Sequence, residues 1–260
     1  MQTMPIKFFI KDAINIAGSC TKTKKMPSLS YSLPAKECIT GSKLVNVKGS
    51  VCEGCYALKG NYHRFKSNIE PAQYKRLESI TKPDWVKAMV KLIGNKPYFR
   101  WHDSGDLQSV DHLYKIATVA RQTPKTLHWL PTREYDIVKN FVKNHEVPSN
   151  LVIRMSTMMI DQPAKLPKSL QGIANILTST VHSKQELTGF KCVAPSQEGK
   201  CGSCRSCWDN KVDNVSYKQW LVKDVTFTLG VFEFMRFEVK IESNWQASEA
   251  YKKNTSVDDF

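Results

Sequence analysis

Four cysteines late in the chain, Cys192, Cys201, Cys204 and Cys207, follow the spacing Cys-x8-Cys-x2-Cys-x2-Cys. Thiolates are soft ligands for zinc and for iron–sulfur clusters, and four of them complete a tetrahedral site. Gly199 and Gly202 free the backbone for the tight turns this requires. The pattern reads as a metal site with no open position. Zinc is the expected occupant and a [4Fe-4S] cluster the alternative. Lys200 and Arg205 would offset part of the thiolate charge.

A second group, Cys38, Cys52 and Cys55, offers three thiols. The fourth ligand would be His63, a water or a substrate atom, and an open position would make such a metal catalytic. The spacing differs from the Cys-x3-Cys-x2-Cys of radical S-adenosylmethionine enzymes. Free core thiols or redox-active thiols are the competing reading. Cys20 stands alone and reads as a small buried hydrophobe.

Three further stretches carry chemistry: Trp101-His102-Asp103-Ser104-Gly105-Asp106, then His128-Trp129-Leu130-Pro131-Thr132-Arg133, then Arg154-Met155-Ser156-Thr157. Exchange of a base at a sugar needs a carboxylate at the anomeric carbon and a second group to protonate the leaving base. Asp103 and Asp106 could share a pocket as that pair, with His102 and His128 moving protons. Trp101 and Trp129 could stack a flipped base. Ser104, Arg133 and Arg154 could bind substrate, the arginines through phosphate or carboxylate. The plainer alternatives are a capping turn for the aspartates, core packing for the tryptophans and solvated charge for the arginines.

The elements that must position these residues alternate. Helical patterns begin at Pro71 in "PAQYKRLESI" and at Pro83 in "PDWVKAMVKLIG", where Gly94 ends the run. Strand patterns cover 97–102, "TLHWLPTR", "NLVIRMSTMM", "ANILTST" and "GFKCVAP", with helices "VDHLYKIATVARQ" and "EYDIVKNFVKNH" between the first three. Such alternation argues for a parallel sheet with crossover helices, here an α/β fold of the β/α-barrel kind, complete or partial, or else a smaller open sheet. In that architecture the carboxyl ends of strands line the site, which is where the three polar stretches fall. Residues 18–50 read as loop and short strands. One domain is expected over 1–217, with the Cys-rich segment at 190–210, and a C-terminal β-hairpin and tail over 218–260.

The chain has 260 residues and a formal net charge of +14, which points to a polyanionic partner such as nucleic acid. No apolar run approaches the roughly 20 residues that span a bilayer. The N-terminal apolar patch is broken by Lys7, Lys11 and Asp12, so neither a signal peptide nor a membrane partner is expected, and a cytoplasmic location is.

At "SVCEGCYALKGNY", "FRWHDSGDL" and "KCGSCRSCWDNKVDNVSY" the chain resembles the phage gene-product-88 family, over about residues 20–217. That resemblance implies a phage or prophage origin, and so the host cytoplasm. A second, smaller likeness joins "HDSGDLQS" to the DSGGFQ stretch of tRNA-guanine transglycosylases and "LPTR" to their PTR stretch. Those enzymes are β/α barrels with a late cysteine-and-histidine zinc site, and phage relatives insert 7-deazaguanines into DNA. By this likeness Asp103 matches the aspartate that acts on the exchanged base. Asp106 and Leu107 depart from the pattern, and no carboxylate stands in Leu127-His128-Trp129-Leu130 before the PTR stretch.

Three functions follow as expectations. The first is a phage transglycosylase exchanging guanine for a 7-deazaguanine base in DNA, with a structural four-cysteine site. The second is an iron–sulfur enzyme doing radical or redox chemistry. The third is a zinc-containing nucleic-acid-binding protein without catalysis.

Overall fold

The computed structural model describes residues 8–183 and 189–219. In chain order the elements are α1 (Ile10–Ala17), β1 (Thr21–Lys22), β2 (Leu29–Tyr31), α2 (Ile39–Leu44), α3 (Gly60–Arg64), α4 (Lys66–Ser79), α5 (Trp85–Ile93), β3 (Tyr98–Trp101), α6 (Val110–Gln122), β4 (Leu127–Thr132), α7 (Tyr135–Phe141), β5 (Leu151–Ser156), β6 (Ile176–His182), β7 (Phe190–Lys191) and β8 (Asn214–Lys218). Local chemistry sets several boundaries. Asp12 reaches back to the Phe9 N–H at 2.8 Å to close the start of α1. The Ser109 hydroxyl accepts from His112 N at 3.0 Å to cap α6.

All eight strands form one sheet in the order β1-β2-β3-β4-β5-β6-β8-β7. Every pairing is parallel except β1 with β2. From β2 to β6 neighbours in sequence are neighbours in space, the order a β/α barrel would have. The barrel itself is not formed. The antiparallel β1 ends one edge and the two-residue β7 the other, so the sheet stays open. The polar 214–218 run, absent from the expected strands, enters between β6 and β7. Helix α4 begins five residues ahead of its expected start and carries Pro71 inside it. The hairpin expected over 218–260 lies, beyond Gln219, outside the described residues.

The two faces of the sheet are covered differently. Phe99, Trp101, Leu130, Leu151, Ile153 and Met155 point to one face and share a core with Ala13, Trp85, Met89, Leu113, Ile116 and Phe141 of the helices. Residues one step along each strand, Tyr98, Arg100, Trp129, Arg154 and Tyr217, meet the Cys-rich segment instead. Trp208 packs edge-on against Tyr98 and Trp129, with ring centroids 5.5 and 5.2 Å away, and its indole N–H donates to Phe99 O at 2.9 Å. Strand β5 is buried at all six positions because both faces are occupied.

His128 belongs to the helix-side core. Trp101 Nε1–H donates to its Nδ1 at 3.3 Å, and its Nε2 faces the Thr123 hydroxyl at 2.8 Å, which itself donates to Val119 O. This chain fixes the neutral Nε2–H tautomer, since a proton on Nδ1 would face the indole N–H. Burial drives the His128 pKa down to about 3 from an ordinary 6.5. A depressed folded-state value means stability that is full above pH 6.5 and lost as pH falls toward 3, on the order of 4 kcal/mol in all. His128→Gln should therefore flatten the decline of urea-unfolding free energy between pH 6.5 and 4 by up to about 1.4 kcal/mol per pH unit. Parallel profiles for the two proteins would refute this.

Candidate metal centres

Cys192, Cys201, Cys204 and Cys207 line one small apolar cavity of about 20 Å³, closed by Phe190, Val193, Trp208 and Val215. Tight backbone turns bring them there: Cys204 N donates to Cys201 O at 3.0 Å, and Cys201 N is held by Lys25 O at 2.9 Å. The Cys207 thiol lies 3.1 Å from the Tyr217 hydroxyl. Burial pushes the Cys207 thiol up to about 12 and raises Cys192 and Cys201 as well. Such thiols give up their protons only to a cation that replaces them.

Close packing leaves few voids in protein interiors, and this one has room for about one water-sized body. Among the described residues no three Cys, His, Asp or Glu side chains converge closely enough to hold an ion as they stand. A single zinc wants its sulfurs about 2.3 Å from one centre, whereas a cluster spreads its ligands over several irons.

Arg154, expected as a substrate-binding residue, instead organises this segment. It is fully buried on β5. Its five N–H groups donate to Cys207 O at 3.1 Å, Thr178 O at 3.2 Å, Val212 O at 2.9 Å, Ser206 O at 2.7 Å and Asp209 O at 2.9 Å. No donor is left for a ligand.

The trio occupies a different place. Residues 37–56 lie over the carboxyl ends of the central strands, held by long-range bonds. Thr40 donates from its N–H and its hydroxyl to the two Glu134 carboxylate oxygens at 2.9 and 2.7 Å. Val51 N reaches Met158 O at 2.9 Å, and Gln108 Nε2 reaches Glu37 O at 3.2 Å. A Cβ added at Gly41 would meet Cys38 Cβ at 2.9 Å, with Cys38 Sγ and Cys52 Sγ at 3.6 and 3.7 Å, so glycine lets α2 pack directly on Cys38. Burial raises both thiols; Asp106, Cys55 and Glu134 add to that at each, while Arg133 lowers Cys52. Cys55 thus stands in the same group. The suggested fourth ligand, His63, is exposed on α3.

The strand-end residues divide. Asp106 accepts three hydrogen bonds: Thr132 Oγ1 and Leu107 N donate to its Oδ1 at 2.6 and 2.7 Å, and Arg133 N to Oδ2 at 2.9 Å. Burial still raises its pKa to about 6. It ties β3 to β4. Asp103 accepts from the Tyr62 hydroxyl at Oδ2, 3.0 Å, and from the Tyr56 hydroxyl at its backbone carbonyl. Its Oδ1 is buried and has no partner, as are Ser104 Oγ, Thr157 Oγ1, Trp129 Nε1 and both ring nitrogens of His102. Burial holds His102 well below the ordinary histidine range. His102 also takes φ +54°, a left-handed conformation that costs a non-glycine residue about 1–2 kcal/mol. Gly105, at φ +77°, lets the loop press onto Leu33, where a Cβ would meet Leu33 Cβ at 2.5 Å. Trp101 and His128 face the helices and cannot stack or protonate a base beside Asp103.

Arg100 was not among the expected residues. It lies on the Trp129 side of the sheet, its guanidinium 4.6 Å from the Trp129 ring centre. Tyr56, Asp103, Tyr217 and Cys207 all act on its charge, so it stands between the two sulfur groups. Its Nε has no partner, and among the described residues no carboxylate forms an ion pair with it. The signal in the sequence was an arginine between Phe99 and Trp101.

The profile of a protein family described as gene product 88 matches residues 11–210, the stretch that holds every cysteine of the chain. No curated protein and no solved structure matches.

Proposed function

The chain belongs to the gene product 88 family, a bacteriophage family, and we propose that it is an iron–sulfur enzyme acting on nucleic acid. One observation carries the reading. Among the described residues, three thiols without a fourth stand over the carboxyl ends of β3, β4 and β5, while four others ring a separate cavity. Complete thiolate sites hold structure or pass electrons; an incomplete one keeps a position for a substrate.

An iron–sulfur centre on Cys38, Cys52 and Cys55 would supply single-electron chemistry at an iron free to take an outside ligand. The chain's own residues prepare that place. Glu134 clamps the cysteine loop through Thr40. Asp106 locks the β3 and β4 ends together. Tyr56, next to Cys55, and Tyr62 fix Asp103 beside them. The +14 charge of the chain supports a polyanionic substrate, with DNA the preferred form. The quartet carries either a second cluster or zinc.

Base exchange is the second reading, and the buried, unpartnered Asp103 Oδ1 is what speaks for it. It has to proceed without Trp101 and His128, and Asp106 is held by three hydrogen bonds between the ends of β3 and β4.

The reading is tested by iron and acid-labile sulfide analysis of protein purified without oxygen. The protein should carry both, with a visible absorbance band. A Cys38→Ala/Cys52→Ala/Cys55→Ala variant should keep its fold and lose part of the iron. Zinc as the sole metal in a folded, active protein would overturn the proposal.

A further inference from the structure

We propose that residues 39–66 form a docking surface for single-stranded nucleic acid, with the rings of Tyr56 and Phe65 as stacking platforms. The inference rests on the nucleic-acid part of the proposed function, names the form of that partner and the face that meets it, and needs no metal on the cysteines. The sequence supplies the charge. Lys43, Lys48, Lys59, Arg64 and Lys66 stand in this stretch against one acidic residue, Glu53. Lys66 is engaged with Glu70 at 3.5 Å. The other four cations are exposed and form no ion pair among the described residues. The Glu53 carboxylate accepts from Gly49 N at 2.7 Å. Unpaired cations gathered on one segment are what a phosphate backbone recognises.

The fold supplies the rings. Tyr56 is 59% exposed and Phe65 50%, more than any other large hydrophobic side chain among the described residues. Tyr62 links them. The Tyr56 ring meets it edge-on, with centroids 5.9 Å apart. Phe65 follows it by three residues, and the Phe65 N–H donates to Asn61 O at 3.0 Å, so the turn of α3 carries on to Phe65. Both tyrosine hydroxyls donate to Asp103, Tyr56 to the backbone carbonyl and Tyr62 to Oδ2. Tyr56 is thus fixed at its polar end while its ring stays open to solvent. A ring held in place beforehand loses little freedom when a base stacks on it.

The combination selects the partner. Stacking on aromatic side chains tolerates any sequence but needs unpaired bases, whose faces a duplex keeps inside its own stack. A duplex would use the cations and leave both rings idle. A lipid surface takes up apolar side chains that are free to insert, whereas Tyr56 is tethered by its hydroxyl. A strand lying on Tyr56 passes Asp103 at the carboxyl end of β3, so the surface delivers bases to the strand-end site.

The test uses the full chain and a fluorescein-labelled, mixed-sequence DNA of about 20 nucleotides, single-stranded or annealed to its complement, read by fluorescence anisotropy. The single strand should bind at least about tenfold more tightly than the duplex. Phe65→Ala and Tyr56→Leu should each weaken single-strand binding about 5- to 100-fold and leave duplex binding unchanged, and Tyr56→Phe, which keeps the ring, should lose less than Tyr56→Leu. The thermal unfolding of Phe65→Ala should match the parent's, since the side chain is exposed. Lys59→Gln/Arg64→Gln should reduce the slope of log affinity against log salt by about 1.4, and Lys91→Gln/Lys125→Gln, on α5 and ahead of β4, should not. Equal affinity for strand and duplex, or single-strand binding indifferent to both ring substitutions, overturns the inference and leaves the reading of a nucleic-acid enzyme intact. Binding to phosphatidylserine vesicles that the ring substitutions abolish, with single-strand binding unaffected, overturns it in favour of a membrane. No binding to DNA in either form or to the matching RNA strand would fail the reading itself.

Discussion

Arg154→Met is expected to destabilise the protein by about 3–5 kcal/mol, the usual result of removing one partner of a buried charged network. Methionine matches the length and apolar stem of arginine but offers no donor. The carbonyls of Ser206, Cys207, Asp209 and Val212 would each lose their arginine hydrogen bond inside the interface between sheet and Cys-rich segment. Thermal unfolding should fall by roughly 6–20 °C for a domain of this size. Arg154→Lys should not rescue it, because a single ammonium has three donors and no planar fork to span five carbonyls. A loss of less than about 2 °C in either variant would show that the segment is held by other means. The residue then serves the Cys-rich segment by positioning its backbone, and burial lowers its own pKa while nearby Tyr217 and Cys207 act in the opposite sense.

The second large effect concerns the thiols that this arginine presents. Cys204→Ala removes one wall of the four-thiol cavity. Metal ligation in small structural sites contributes as much as about 10–16 kcal/mol, and three ligands retain only part of it. The segment 192–212 should then detach, taking Trp208 from its place between Tyr98 and Trp129. Limited proteolysis should cut the variant within 192–212 under conditions that leave the parent intact, and the fall in thermal stability should exceed that of Arg154→Met. Equal protease resistance would mean that the segment needs no metal to stay seated.

The quartet was legible because its information is local: spacing alone brings four thiols together. So was the alternation of strand and helix after residue 95, where β3, α6, β4, α7 and β5 fall within a few residues of their patterns. The site was less legible for two physical reasons. Side chains alternate across a strand, so neighbours in sequence such as Arg100 and Trp101 go to opposite faces. Which face the helices cover decides that Trp101 and His128 are core while Arg100 and Trp129 line the other side. Phe99, two residues before Trp101 and so on its face, carried a hint of this; Arg154, on a strand buried on both faces, carried none.

The trio shows the other reason. Its place above the strand ends depends on Thr40 meeting Glu134, Val51 meeting Met158, and Gln108 meeting Glu37. These partners are 94, 107 and 71 residues apart in the chain, and no periodicity announces them. The short strand β2, in a stretch that reads as loop and short strands, is what brings the cysteine loop to that edge. The closed barrel failed for a related reason, since a two-residue antiparallel strand gives no motif strong enough to be seen.

The most direct test is Mössbauer spectroscopy of protein reconstituted with iron-57. The account predicts iron in two environments, one of which contains an iron lacking a cysteine ligand, and the loss of that environment alone when Cys38, Cys52 and Cys55 are replaced by alanine. A spectrum with iron in a single, fully thiolate-ligated environment that survives the triple replacement unchanged would contradict it.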